Sequence, residues 1–348
     1  MSQSNSEENF ATGGTAAFAA SAAICGEARP LKIAVIGAGA IGAYYGCALA
    51  RAGHDVRFLL RSDLEAVRRD GFRVRIFAGG AAGAALTDEF RIQPAAAFAS
   101  TAEIGACDLV IIALKSTAND LFAKLLPPLD NGRTLFLTLQ NGMGNAEQLA
   151  AIFGASRVAA GLCFVCINRV APGVIENYQL GRIRFAEAAG TATARTHALA
   201  ELFGVTGSEC RVTDSLDKAL WQKLCWNIPF NGLAIAAGGV TTDIIAGSAP
   251  LRELAEGLMR EVQAAAGACG VEISDAHLAA QIPSVAGMGA YKPSSLIDYL
   301  AGRPVEVEAI WGEPLRRGEA RGVAMGRLSA LYSLLRYLTA TAAVRAAG

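Results

Sequence analysis

The sequence predicts an α/β fold over residues 31–212 and an all-α fold over residues 213–348, and three observations carry that division. Leu31-Lys-Ile-Ala-Val-Ile-Gly-Ala-Gly-Ala-Ile-Gly42 is an apolar run that ends in a glycine-spaced turn. Asp108 to Leu114 and Thr134 to Leu139 are short apolar runs of the kind that fill a parallel sheet, and each stops at polar residues, Lys115 and Gln140-Asn141-Gly142-Met143-Gly144. Beyond Val212 to Ser215, strand-like segments give way to long Ala- and Leu-rich helical ones. A chain of 348 residues exceeds what one core usually accommodates, so two domains are the expectation.

The first run reads as a buried strand followed at once by a helix from Ala43 to Ala52. In such a unit Gly37 permits the tight turn, Gly39 lets the backbone approach a pyrophosphate and Gly42 lets helix and strand pack closely. The segment Gly37-Ala38-Gly39-Ala40-Ile41-Gly42 then presents unpaired helix N–H groups to phosphates. Glycine-rich turns are common by themselves, but this one lies in the strand-turn-helix setting of a dinucleotide-binding Rossmann unit.

Asp55 to Leu60 forms the second strand, and Arg61 follows it directly. Units that bind NAD place an acid here for the ribose 2′-hydroxyl, whereas an arginine suits a 2′-phosphate, so Arg61 points to NADP. The other reading is a solvated arginine opening the next helix with Asp63 as its partner. Phe72 to Phe77 is a further strand and Ala78 to Ala85 a turn or loop. Ligands of open α/β sheets bind beyond the carboxyl ends of the strands, which directs Gly37, Lys115 and Asn141 to one crevice. Taken singly, Lys115 is equally a surface charge and Asn141-Gly142 an ordinary turn. Arg157 to Phe185 is β-rich with a hairpin turn at Pro172-Gly173, and a strand would point Cys163 and Cys166 to opposite faces, which argues against a metal site.

Composition narrows the function. The 31 basic and 31 acidic residues balance, leaving no net field for nucleic acid, and a small-molecule partner fits better. Eight scattered cysteines in apolar surroundings suit a reducing compartment. Residues Met1 to Pro30 lack the basic n-region and apolar core of a secretory signal and read as a disordered extension. No uncharged apolar run reaches the roughly 20 residues that span a bilayer. The expectation is a cytoplasmic protein without membrane segments.

In the second half, helices are expected from Ser215 to about Asn231, Ala249 to Gly267, Ser294 to Leu300, Glu306 to Gly318 and Arg327 to about Val344. Trp221-Gln-Lys-Leu-Cys-Trp-Asn-Ile-Pro-Phe-Asn231 places Lys223, Asn227 and Asn231 at i, i+4 and i+8, one face of a helix whose other directions are apolar. Buried polar groups need partners, and a substrate with a carboxylate, a carbonyl and hydroxyls would supply them; the alternative is a polar seam between helices. Pro229 should kink the helix and free a carbonyl. Ser294 is either a helix N-cap or a carboxylate ligand, and Glu306 is a first-turn acid whose importance rises if it faces Lys223.

As a set, the glycine motif, Arg61, Ala-Leu-Lys115, Gln-Asn141-Gly-Met-Gly, the Lys223/Asn227/Asn231 helix, and Pro-Ser294-x-x-x-Asp298 followed by Gly-Arg-Pro-x-Glu306 resemble the ketopantoate reductase (2-dehydropantoate 2-reductase) family. The resemblance runs from about Lys32 to the C-terminal helix. It implies a helical C-terminal domain of the 6-phosphogluconate dehydrogenase type and NADPH-dependent reduction of ketopantoate to pantoate, a step of pantothenate biosynthesis. By the same resemblance, Lys223 matches the catalytic proton donor, Asn227, Asn231 and Ser294 match substrate ligands, and Lys115, Asn141 and Glu306 match active-site or cofactor contacts. Two departures stand out: Thr241 and Thr242 occupy the place of a hydroxyl-binding asparagine, and Tyr291-Lys292-Pro293 stands where the family often has another. A same-fold reductase of another 2-oxo acid and a non-catalytic NADP-binding protein are therefore the rival readings; Lys223 favours an enzyme. The apolar C-terminal helices suit a homodimer.

Overall fold

The computed structural model describes residues 19–78, 84–286 and 288–347. By contacts the chain divides into two units, with the change falling between Leu216 and Asp217; two short strand-end segments, Lys115–Thr117 and Asn141–Asn145, belong to the second unit. Sequence had placed the change at 212/213.

The first unit holds ten strands among the described residues: β1 (Lys32–Ile36), β2 (Asp55–Leu59), β3 (Phe72–Ala78), β4 (Ala85–Ile92), β5 (Ala96–Phe98), β6 (Leu109–Ile112), β7 (Leu135–Thr138), β8 (Val158–Ala171), β9 (Val174–Glu187) and β10 (Glu209–Val212). They form one sheet in the order β4-β3-β9-β8-β7-β6-β1-β2-β5, with β10 paired to β9. From β8 to β5 all neighbours are parallel. The central strands carry Val, Ile and Leu because both faces are covered: β6 and β7 are buried at every position, whereas β2 alternates. Register aligns Ile36 with Ile112 and Ile112 with Thr138, so β1, β6 and β7 end at one carboxyl edge. The chain leaves β1 for β2 on one side and returns to β6 on the other, which makes the β1/β6 boundary the topological switch point.

The helix Ala40–Arg51 packs Tyr44, Tyr45 and Cys47 into the core beside Phe58, Phe185 and Phe203. The hairpin of β8 and β9 turns at residues 172–173, as the Pro-Gly pair suggested.

Residues 19–25 are helical, Ala20 is buried in the core, and the Arg29 guanidinium donates two hydrogen bonds to Asp108, at 2.8 and 2.9 Å. The expected disordered extension therefore does not hold for residues 19–30, because an alanine-rich segment found an apolar surface to cover; residues 1–18 lie outside the described residues. Most of the turn expected over Ala78 to Ala85 falls on residues 79–83 and lies outside them as well.

The second unit is helical. Its long members are Leu216–Ala236, Ala249–Ala268 and Gly326–Ala347, joined by shorter helices at Thr242–Gly247, Ser294–Leu300 and Glu313–Glu319. A π-helical turn spans Glu308–Gly312. Trp221 and Trp311 are fully buried, and the Trp311 indole N–H donates to the Ile228 carbonyl at 3.0 Å. That bond sits beside Pro229, which lies inside a continuous helix. The buried Glu261 carboxylate accepts the N–H groups of Arg327 and Leu328 at 3.0 and 2.9 Å, satisfying donors that open the last long helix.

Candidate active site

The glycine turn of the first unit has the shape its sequence requires. Gly37 adopts φ +96°, and a Cβ there would lie 2.4 Å from the Leu114 amide nitrogen, so turn and strand end meet backbone to backbone. A Cβ at Gly42 would lie 2.4 Å from the Gly37 carbonyl oxygen. At Gly39 the same atom would meet nothing within 4 Å. Gly39 is the N-cap of Ala40–Arg51, no side chain caps that end, and no acid stands in its first turn. Ala38 is buried while Ala40 and Ile41 are half-buried. An open glycine on the positive end of a helix fits the pyrophosphate of a dinucleotide.

Arg61 is exposed beyond the end of β2, and among the described residues no ion pair engages it. The suggested partner Asp63 is committed elsewhere: its buried carboxylate accepts from Arg169 Nη1 at 2.5 Å and from the Ser62 hydroxyl at 2.9 Å. Arg61 is therefore not held by Asp63, and its guanidinium suits a phosphate.

Within the second unit, Lys115, Asn141, Lys223 and Glu306 are gathered by two sets of contacts. Lys223 Nζ donates to Asn141 Oδ1 at 2.9 Å. The asparagine is itself fixed. Gly142 adopts φ +85°, and a Cβ there would lie 2.4 Å from the Ala309 carbonyl oxygen, which accepts the Met143 N–H at 2.8 Å. Asn145 Nδ2 donates to the Asn141 carbonyl at 3.0 Å. A neutral amide orients the ammonium without neutralising it.

Lys115 is treated differently. Its Nζ donates to Asp298 Oδ2 at 2.5 Å and lies 3.6 Å from Glu306 Oε2. Burial alone would lower its pKa, but the Glu306 and Asp298 charges outweigh that and hold it above the ordinary lysine value. Asp298 also accepts from Arg303 Nε at 2.9 Å, and Glu306 accepts the Ser116 N–H at 2.9 Å. Two cations and two carboxylates balance, so this cluster is an organised scaffold rather than a proton source. Glu306 was expected to matter if it faced Lys223; the contacts that fix it are Lys115 and Ser116.

Lys223, Asn227 and Asn231 lie along one continuous helix. Asn227 is 7% exposed, and among the described residues no hydrogen bond engages its amide. Asn231 Oδ1 accepts the Ser295 N–H at 3.2 Å, which ties the helix to the start of Ser294–Leu300. Pro293, not Ser294, is the N-cap there, so Ser294 is the first helical residue, exposed, with no capping bond. The two departures from the family pattern meet: the Thr242 N–H donates to the Tyr291 carbonyl at 3.0 Å. The Tyr291 ring stands 6.2 Å from that of Trp226. Asp298 was quoted in the motif but not chosen as a site residue; its signal was an acid four positions after Ser294 and five before Arg303 on a short helix.

Among the described residues no group of three or more His, Cys, Asp or Glu could hold a metal ion, and no helix is long and apolar enough to cross a membrane.

Comparison with known proteins agrees with this layout. The family model described as ketopantoate reductase PanE/ApbA matches residues 33–190, and the model for its C-terminal part matches residues 215–339. A 2-dehydropantoate 2-reductase of Nostoc sp. is 37% identical over 312 residues, covering 88% of this chain and 95% of its own. The crystal structure of 2-dehydropantoate 2-reductase from Geobacter metallireducens superposes with a TM-score of 0.82 at 41% identity, covering 88% of this chain and 99% of that one. The enzyme of the same name from Methylococcus capsulatus gives 0.78 at 32% identity, covering 89% and 97%.

Proposed function

The chain belongs to the ketopantoate reductase PanE/ApbA family, and we propose that it reduces 2-dehydropantoate to pantoate with NADPH. The observation that carries this reading is the Lys223 ammonium, held by Asn141 at 2.9 Å on the helical face that also bears Asn227. Reduction of a 2-oxo acid develops alkoxide charge on the keto oxygen, which needs both a cation and a proton. Lys223 meets both needs, and the Asn141 amide that holds it takes no proton from it. Lys115, bound between Asp298 and Glu306, does not compete for that role; it fixes the segment after β6.

Asn227, buried with an unengaged amide, is the ligand for the substrate hydroxyl, and the exposed Ser294 hydroxyl is the ligand for the carboxylate. Asn231 serves the same end by holding the Ser294 helix in place. The Gly37–Gly42 turn would hold the pyrophosphate and Arg61 the 2′-phosphate of the cofactor, whose reduced nicotinamide supplies the hydride when bound. We further place the protein in the cytoplasm as a homodimer: its eight cysteines are all free thiols, and Leu334 and Tyr337 are exposed on the C-terminal helix. A single-chain mass in sedimentation would remove the dimer.

The test of the reaction is incubation with 2-dehydropantoate and NADPH, following nicotinamide absorbance and identifying pantoate among the products. Failure with 2-dehydropantoate alongside turnover of another 2-oxo acid would transfer the same mechanism to that acid. The Thr242–Tyr291 contact and the nearby Trp226 ring are where such a change of substrate would be built.

A further inference from the structure

We propose that Asp63 and Arg169 are positioning residues for cofactor choice, their ion pair holding the turn after β2 in the place from which Arg61 reads a 2′-phosphate. The inference rests on the assignment of Arg61 as the 2′-phosphate ligand.

Asp63 is the N-cap residue of the helix Leu64–Asp70, where an aspartate ordinarily accepts an N–H from the first helical turn. No such bond forms here. Both carboxylate oxygens are used otherwise, Oδ1 by the Ser62 hydroxyl and Oδ2 by Arg169 Nη1. Ser62 is the residue next to Arg61, so the carboxylate clamps the turn immediately after the guanidinium-bearing position. On the other side, the Leu60 N–H donates to the Phe98 carbonyl at 3.0 Å. Arg61 thus stands between the bonded Leu60 amide on one side and the bonded Asp63 carboxylate on the other.

The partner comes from a rigid frame. Arg169 lies near the end of β8, 106 positions along the chain, where the β8–β9 hairpin turns. That turn is docked in its own right: the Arg73 N–H donates to the Gly173 carbonyl at 2.8 Å, and β3 pairs in parallel with β9 from Arg73/Val174 to Ile76/Asn177. Burial would raise the Asp63 pKa, but the Arg169 and Ser62 bonds outweigh it and keep the carboxyl below the ordinary aspartate value. The carboxylate is thus ionised at neutral pH, and removing Arg169 would leave it buried without its cation. The turn would then move toward water and carry Arg61 with it. A cofactor with a 2′-hydroxyl gains little from Arg61 and would lose little.

The experiment is steady-state kinetics of the full chain with 2-dehydropantoate, varying NADPH or NADH at saturating acid and varying the acid at saturating cofactor, for wild type, Arg169→Gln, Arg169→Lys, Asp63→Asn and Arg61→Ala. We expect Arg169→Gln and Asp63→Asn to raise KM for NADPH roughly tenfold, while kcat, KM for NADH and KM for the 2-oxo acid stay within about twofold. Arg169→Lys, which keeps the charge, should recover most of the loss. Adding Arg169→Gln to Arg61→Ala should change the NADPH preference no further, because the pair acts through Arg61. Unchanged preference in Arg169→Gln and Asp63→Asn, additive losses with Arg61→Ala, or a parallel fall of every parameter would overturn the proposal. If Arg169→Gln does not fold, Asp63→Asn and Arg169→Lys decide by the same ratios. A wild type indifferent between the cofactors would instead remove the assignment of Arg61.

Discussion

Replacing Asn141 by alanine takes away the acceptor 2.9 Å from Lys223 Nζ and leaves the lysine itself in place. A hydrogen bond to a charged group is worth about 1.5–3 kcal/mol, and about 1.36 kcal/mol corresponds to a tenfold rate, so Asn141→Ala should lower kcat by roughly 10- to 150-fold if the bond orients the ammonium in the transition state. Lys223→Ala removes the proton donor and should cost roughly 10²–10⁴-fold. The two losses should not add: once Lys223 is gone, the amide has nothing to orient, and the double variant should resemble Lys223→Ala alone. The assay is NADPH oxidation at saturating cofactor and substrate for both single variants and the double. Near wild-type turnover in Asn141→Ala, or a double variant whose loss is the product of the singles, would mean that Asn141 does not act through Lys223.

Two further outcomes follow from other parts of the molecule. Arg61→Ala should shrink the preference for NADPH over NADH by roughly tenfold or more, read from kcat/KM with each cofactor; full discrimination in the variant would refute the 2′-phosphate assignment. Burial would raise the Asp108 pKa, but Arg29 and the Lys32 N–H outweigh it and hold the folded value below the ordinary 3.8. Its contribution to stability is therefore present above about pH 3.8 and lost as pH falls through the folded value. Thermal melts of wild type and Asp108→Asn should differ at pH 7, and the gap should narrow as pH falls below about 3.8; a gap that stays constant with pH would contradict this.

The parts legible in the sequence are those whose environment is uniform along a short stretch. β1, β6 and β7 were readable because they are almost wholly buried, and the stripe of Lys223, Asn227 and Asn231 because polar residues at helical spacing stand out in an apolar segment. β4 was not readable: Ala85–Ile92 contains Thr87, Asp88, Glu89 and Arg91, and it is an edge strand paired only to β3 and otherwise held by Arg51, which bonds Asp88 and stacks over Phe90. β5 is three residues long and gives no period at all. Residues 19–25 became a helix because Ala20 reaches a core formed far along the chain, which local composition does not report. At the site, partnership was not legible. Lys115 meets Asp298 from 183 positions away, and Glu306 joins Lys115 rather than standing as an isolated first-turn acid. The split at Leu216 with strand-end segments joined to the helical unit has the same origin, since contacts and not sequence order decide it.

The most direct test of the central claim compares 2-dehydropantoate with 2-oxoisovalerate, which keeps the branched carbon skeleton and lacks the hydroxymethyl group. Asn227, 7% exposed and without a hydrogen bond among the described residues, would be left buried and unpaired by the second acid. Steady-state NADPH oxidation by the wild-type protein should therefore give a kcat/KM for 2-dehydropantoate at least about tenfold above that for 2-oxoisovalerate. Equal efficiencies, or turnover of neither acid, would contradict the account.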